Sequence, residues 1–370
     1  MLTRFEVKNF KNFKDNFVLD FTKTKNYNFN PECVKDGVVN KAIIYGPNGI
    51  GKSNLGFAIF DIVSHLTDKN RNLEFYNNYI NAENDNDVVE FLYSFKFDKD
   101  IIIYRYGKKS FEELAFEELK INDKIVVFYD RTKTEPAFID LKGAETLNRD
   151  LGQNKVSIIK YIASSTVLED NNENASFKKL IKFVEKMLYF RSVGNNCYIG
   201  YETGINSISK DIIEKGKLKD FETFLNKAEI KCKLKEIEIN GQKNIVFDFD
   251  KKTIEFFSIA STGTLSLSLL YYWLQRMKIE NEVSFVFIDE FDAYYHHNLA
   301  KLIIEEMKKG KYQVVLTTHN TSIMSNDLLR PDCYFIMSKN DIKPLYDFTK
   351  KELREAHNIE KMYRAGAFDG

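Results

Sequence analysis

Five residues, far apart in this chain, carry side chains that could share one chemistry: Lys52, Ser53, Asp289, Glu290 and His319. Lys52 and Ser53 close the run Gly46-Pro47-Asn48-Gly49-Ile50-Gly51-Lys52-Ser53, which fits G-x-x-x-x-G-K-[ST]. Glycines at this spacing let a backbone close around a polyphosphate and aim its N–H groups at the oxygens. The lysine adds a point charge at the β- and γ-phosphates, and the serine hydroxyl is a magnesium ligand. The alternative is a glycine-rich turn ahead of an ordinary helix. The flanks decide between them. Ala42, Ile43, Ile44 and Tyr45 read as a buried strand, and Leu55, Phe57, Ile59, Phe60, Ile62 and Val63 begin an apolar-rich helix. Strand, glycine loop and helix in that order make a nucleoside triphosphate site.

The run Val283-Ser284-Phe285-Val286-Phe287-Ile288-Asp289-Glu290 is an apolar strand ending in two carboxylates. A buried parallel strand delivers its last residues to the ligand edge of an α/β sheet. There Asp289 can hold magnesium and Glu290 can polarise an attacking water. Alone, two adjacent carboxylates would read as a solvated loop; a phosphate loop in the same chain changes that. Val314-Val315-Leu316-Thr317-Thr318-His319 is a second apolar strand, and its His319 can reach a terminal phosphate. Upstream, Ser261-Thr262-Gly263-Thr264 precedes an apolar helix over residues 265–274, where Ser261 also suits an N-cap.

The length allows two or three lobes. Lys+Arg and Asp+Glu number 54 each, which argues against a globally basic nucleic-acid binder and leaves a local patch open. Cys33, Cys197, Cys232 and Cys333 form no C-x-x-C pair, so reduced cytosolic thiols are expected rather than zinc or disulfides. Residues 1–20 carry no signal-peptide core and no run is long enough to span a membrane, so a cytoplasmic protein is expected. Residues 2–21 read as two strands around Lys14-Asp15-Asn16. Residues 88–106 read as a hairpin turning at Asp98-Lys99-Asp100, with further strands at 111–119 and 124–129. Phe177, Leu180, Ile181, Val184, Met187 and Leu188 share one helical face, and Phe221, Phe224 and Leu225 mark a second helix. Residues 231–257 return to strands, with an Asn240-Gly241 turn. The clusters Lys215/Lys217/Lys219 and Lys231/Lys233/Lys235 read as a solvated face or a nucleic-acid contact. His296 and His297 point different ways on any regular element and lack partners at ligand spacing, so no metal is expected there.

The order of phosphate loop, long insertion, serine-glycine turn, Asp-Glu strand and His strand resembles the ATP-binding cassette (ABC) ATPases, specifically the RecF/SMC/OLD-like branch. Asn9-Phe10-Lys11-Asn12-Phe13 looks like that branch's N-terminal signature. Asp289-Glu290-Phe291-Asp292 with Tyr295-His296-His297 resembles its D-E-x-D-x-x-L-H-P segment, Tyr295 standing for Leu and His297 for Pro. Residues 357–366 resemble a tail common among ATPases of prokaryotic anti-phage modules such as PARIS, Septu, retron and abortive-infection systems. The resemblance covers residues 1–65 and 255–370, more loosely 88–130, and leaves 130–255 unmatched.

The resemblance implies an α/β fold. It would be a P-loop ABC-ATPase head with a mixed or parallel central sheet, an antiparallel β lobe, a helical insertion and no long coiled coil. The core would span 1–65 and 255–370, with 66–254 inserted. It implies ATP and Mg2+ as cofactors. Gly46, Asn48, Gly49, Ile50, Gly51, Lys52, Ser53 and Asn54 would hold the nucleotide, with Lys11 and Asn12 near it. Ser53 and Asp289 would serve the metal, and Lys52, Glu290 and the switch residue His319 the reaction. Ser261 and Gly263 resemble the signature turn that contacts the ATP of an opposite subunit, so an ATP-dependent homodimer, or an assembly of dimers, is expected. The turn is shorter than the full L-S-G-G-Q signature, which implies slow hydrolysis, and the glutamine loop is not placed. The leading expectation is the sensor and regulatory ATPase of an anti-phage complex, holding a separate toxin or nuclease and triggered by a phage protein or DNA. A RecF-like DNA-repair ATPase and a non-hydrolysing assembly scaffold are the alternatives.

Overall fold

The computed structural model describes residues 1–67, 69, 76–151, 155–191, 198–200, 208–239, 241–293 and 297–368. The chain opens with β1 (Leu2–Lys8) and β2 (Phe17–Asp20), antiparallel, with Val7 opposite Phe17. A short hairpin of β3 (Val34–Lys35) and β4 (Val38–Val39) leads into β5 (Lys41–Tyr45), buried throughout, and then into α1 (Lys52–Leu66). An antiparallel meander follows: β6 (Val89–Phe97), β7 (Asp100–Lys108), β8 (Leu114–Ile121), β9 (Lys124–Asp130) and β10 (Phe138–Ile139). Its hairpins follow from alternation and turn chemistry. Val89, Phe91, Tyr93 and Phe95 are buried while their neighbours are half-exposed. Between β8 and β9, Asn122 and Asp123 both take positive φ (49° and 66°), as a two-residue hairpin loop requires.

Next come α2 (Ile158–Ser165), α3 (Asn172–Glu185), β11 (Met187–Arg191), β12 (Tyr198–Gly200), α4 (Ile208–Glu214) and α5 (Leu218–Lys227). A small sheet of β13 (Leu234–Ile239), β14 (Gln242–Asp248) and β15 (Thr253–Glu255) precedes α6 (Phe256–Ile259) and α7 (Thr262–Met277). The chain closes with β16 (Phe285–Asp289), α8 (His297–Lys308), β17 (Gln313–Thr318), β18 (Tyr334–Met337), β19 (Ile342–Pro344) and α9 (Ile359–Arg364).

Two seven-stranded sheets result. One is antiparallel in the order β10-β9-β8-β7-β6-β1-β2. The other runs β12-β11-β16-β17-β5-β18-β19, parallel from β11 to β18 with an antiparallel strand at each edge. The expected fold class is therefore present, and among the described residues the longest helix is α7, with 16 residues. None is long and apolar enough to cross a membrane. β1 and β2 pair within the antiparallel sheet, and β11, from the middle of the chain, lies in the nucleotide sheet. The helical pattern read through Leu188 also stops early. Helix α3 ends at Glu185, because Met187–Arg191 finds a parallel partner in Phe285–Asp289 and buries all of its residues but Arg191.

The helix α1 sits between the sheets and is buried from Leu55 to Leu66. One side meets the nucleotide sheet at Gly56, where a Cβ would fall 2.7 Å from the Tyr189 ring and 2.8 Å from that of Phe287. The opposite side is polar and meets the antiparallel sheet. Asp61 accepts from Lys108 Nζ (2.7 Å), Tyr106 (2.8 Å) and Tyr79 (2.7 Å). Next to it Glu117 accepts from Tyr104 (2.7 Å), Ser157 (2.5 Å) and the Ile158 N–H (2.9 Å), with His65 Nε2 at 3.2 Å. Gln313 ties the sheets at their other end, accepting from Leu2 N and donating to Leu2 O and Val39 O.

Breaking a buried ion pair from one side strands a charge, so Asp61→Ala is expected to cost about 3–5 kcal/mol, and adding Lys108→Met should recover most of it. Denaturant unfolding of the single and double variants measures both. Burial pushes the His65 pKa down from 6.5, so the unfolded chain takes up that proton first. Its contribution is complete above pH 6.5 and is lost as the pH falls from there through the folded value. Melting curves between about pH 5 and 8 should show that loss, and His65→Gln should flatten it.

Candidate functional site

One strand joins the two distant halves of the site. β17 lies between β16 and β5 and pairs in parallel with both, setting Leu316 level with Ile288, Thr317 with Ile44 and Thr318 with Tyr45. The carboxyl ends of all three strands therefore open at one edge. Thr317, fully buried, links them chemically. Its hydroxyl donates to Asp289 Oδ1 (2.8 Å) and accepts from the Glu290 N–H (2.8 Å). Glu290 leaves the strand in the left-handed region (φ 47°), which costs a residue bearing a Cβ about 1–2 kcal/mol. The Thr317 bond holds it there.

The phosphate loop forms between β5 and α1. Gly49 (φ 78°) and Gly51 (φ 107°) adopt backbone that other residues resist. At Gly51 a Cβ would also lie 2.4 Å from Asn12 Nδ2. Asn12 braces the loop, donating to Ile50 O (3.3 Å) and accepting from Asn54 Nδ2 (2.6 Å). Among the described residues no acceptor in the chain takes the N–H groups of residues 48–54, and the Ser53 hydroxyl has no partner. Lys52 is buried and donates to Gly46 O (2.7 Å) and Pro47 O (2.9 Å). Burial pushes its pKa down, against the pull of Glu290, Asp289 and Asp292.

Other expected residues fall as follows. Lys11 turns away from the loop, donating to Asn77 O (2.7 Å). Lys11 and Asn12 line a recess of about 410 Å³ with Phe13, Phe17, Lys339 and Asn340. His319 is exposed at the end of β17, and its charge acts on Asp292. Asp292 is buried beside Thr318 and Asn320, its pKa raised by burial, and neither carboxylate oxygen has a hydrogen bond of full geometry. Ser261 caps α7, accepting from the Thr264 N–H (3.2 Å), and faces a recess that no phosphate-loop residue lines. Among the described residues no hydrogen bond joins Ser261 to the phosphate loop. Tyr295 and His296 lie outside the described residues; His297 bonds Ser322 (3.0 Å), and no metal-holding cluster of His, Cys, Asp and Glu occurs among the described residues.

Two contributors carried no sequence signal, because β11 was hidden in a helical periodicity. Arg191, level with Asp289, places its Nε 3.6 Å from Asp289 Oδ2, and the Tyr189 hydroxyl lies 3.4 Å from the same oxygen. The unpaired N–H nest, the loop lysine, a free hydroxyl and a strand-end carboxylate suit a polyphosphate with a hard cation.

Thr317→Val keeps the shape and removes both bonds, leaving a buried N–H unsatisfied at roughly 1–3 kcal/mol. Phosphate release should fall by about ten- to a hundredfold, while Thr317→Ser, which keeps the hydroxyl, should restore it. Steady-state phosphate assays alongside nucleotide titration check this.

Residues 41–325 match the family described as "AAA domain, putative AbiEii toxin, Type IV TA system". No curated protein matches the chain significantly. Among solved structures, an SMC head bound to the C-winged helix domain of ScpA is 17% identical, covering 94% of this chain and 98% of that one, with a TM-score of 0.47. The SMC head domain from Thermotoga maritima is 15% identical, covering 93% and 98%, with a TM-score of 0.42. The Smc head with an extended coiled coil bound to the C-terminal domain of ScpA, from Pyrococcus furiosus, is 15% identical, covering 92% and 95%, with a TM-score of 0.43. These likenesses are distant; the assignment rests on a match to more than half the chain. The chain belongs to the AAA domain family of the putative AbiEii toxin, type IV toxin–antitoxin kind.

Proposed function

We propose that this chain is an ATP-driven switch whose site is closed by a second copy. The observation that carries the reading is the parallel pairing of β17 with both β5 and β16, which sets the glycine loop and Asp289-Glu290 at one sheet edge, with Thr317 bonded to Asp289 and to the Glu290 N–H. Residues 46 and 48–54 hold the triphosphate, with Lys52 at its β- and γ-phosphates. Ser53 and Asp289 would hold Mg2+, which would supply charge neutralisation at the phosphates. Glu290 accepts a proton from the attacking water, and His319 reads the terminal phosphate. Ser261 and Gly263 cap the nucleotide of the neighbouring copy. The short turn at Ser261 keeps turnover slow.

The family's link to toxin–antitoxin systems supports a place in a prokaryotic defence module. In this reading the ATPase is the sensor and regulator, and a separate toxin or nuclease chain, released by a phage protein or DNA, does the damage. Incubating the purified chain with DNA and Mg2+ tests the division of labour: cleavage by the chain alone would overturn it.

Glu290→Gln should abolish phosphate release while preserving ATP binding and ATP-driven dimers, read by mass measurement with and without nucleotide. An unchanged release rate would move the base elsewhere. Lys52→Ala should weaken ATP binding by at least about tenfold, from the loss of charge-assisted hydrogen bonds.

A further inference from the structure

Arg191 is a cation at the nucleotide edge whose hydrogen-bond donors are unspent. It ends β11 level with Asp289, its Nε 3.6 Å from Asp289 Oδ2. That Nε is buried without a hydrogen bond, and among the described residues no acceptor takes any other N–H of the guanidinium. Asp289 is already served elsewhere: Oδ1 takes the Thr317 hydroxyl (2.8 Å), and the Tyr189 hydroxyl lies 3.4 Å from Oδ2. A pair serving stability alone would close to bonding distance, since a buried N–H left unmet is costly. A planar fork of open donors suits a phosphate.

Helix α1 shows that the fork stands at the height of the phosphate loop. Gly56 packs on Tyr189 and Phe287, which precede Arg191 and Asp289 by two residues on their strands. Two strand residues advance about 6.6 Å toward the carboxyl edge and return to the same face. Helix α1 starts at that edge, and from Gly56 back to Lys52 it covers about 6 Å in the same direction. Arg191, Asp289 and the first turn of α1 therefore share one level, on the face that α1 covers.

We infer that Arg191 binds the terminal phosphate and supplies enough positive charge beside Asp289 that triphosphate binding depends little on Mg2+. This role rests on the nucleotide site proposed above and adds a binding residue to it. Asp289 and Glu290 repel a triphosphate that arrives without a divalent cation, and the guanidinium offsets that repulsion. The same charge disfavours a second cation at Oδ2, so Mg2+ adds less than it would beside a lone carboxylate. ADP, with no terminal phosphate, gains little from Arg191.

Calorimetric titration of the full chain with the β,γ-imido analogue of ATP, in EDTA and in Mg2+, tests this, with ADP alongside. The parent should lose less than about tenfold in affinity when Mg2+ is removed. In EDTA, Arg191→Gln should bind the analogue about ten- to a hundredfold more weakly than the parent, the worth of a charged hydrogen bond. Its loss should be smaller with Mg2+, and its ADP affinity should match the parent's. Arg191→Lys, which keeps the charge, should recover part of the loss. A merely structural arginine would weaken every titration alike. An equal loss with and without Mg2+, an equal loss for ADP, or an unaltered Arg191→Gln would each overturn the inference, as would a parent whose affinity collapses in EDTA. A parent that binds neither nucleotide in either condition removes the site itself, and this role with it.

Discussion

The structure depends on burying a helix with two dissimilar faces. Helix α1 begins at the glycine loop, with Ser53 and Asn54 half-buried, while its remaining turns pass buried between two sheets. Toward the parallel sheet the contact is aromatic and tight enough to require glycine at position 56. Toward the antiparallel sheet it is ionic, with Asp61 and His65 answered by Lys108, Glu117 and three tyrosines. A carboxylate in such a place is tolerated only when every lone pair has a donor. The antiparallel lobe is therefore not an appendage: it neutralises the helix that carries the loop.

The chemistry at the strand ends obeys the same economy of parts. Asp289, fully buried, has Arg191 of the adjoining strand at 3.6 Å on one oxygen and the Thr317 hydroxyl on the other. Thr317 contributes no charge, yet it fixes the orientation of one carboxylate and the backbone of the next. Geometry at this site thus comes from an uncharged residue in the middle of the sheet, shielded from water.

Much of this could be read from residue order. The glycine loop, the strands read as ending at Glu290 and His319, the hairpin read over residues 88–106 and found as β6 and β7, and the cap at Ser261 each have a local cause, so local patterns revealed them. What escaped depends on distant partners. Met187 and Leu188 continue the helical spacing of α3, and only pairing with β16 makes them strand. Arg191 was invisible for the same reason. Lys108 and Glu117 look like ordinary polar residues on exposed strands until Asp61 and His65 are laid against them. That the N-terminal strands complete a sheet built mostly from later residues is likewise a matter of distant pairing.

The resting position of Lys52 has a kinetic meaning. Its ammonium group is already satisfied by two loop carbonyls, Gly46 O and Pro47 O, and the loop's shape is set by glycine backbone and by Asn12 rather than by any ligand. An arriving anion finds the cradle assembled and has only to draw one flexible side chain off its own loop. Capture should then be limited by diffusion and by that single side-chain swing.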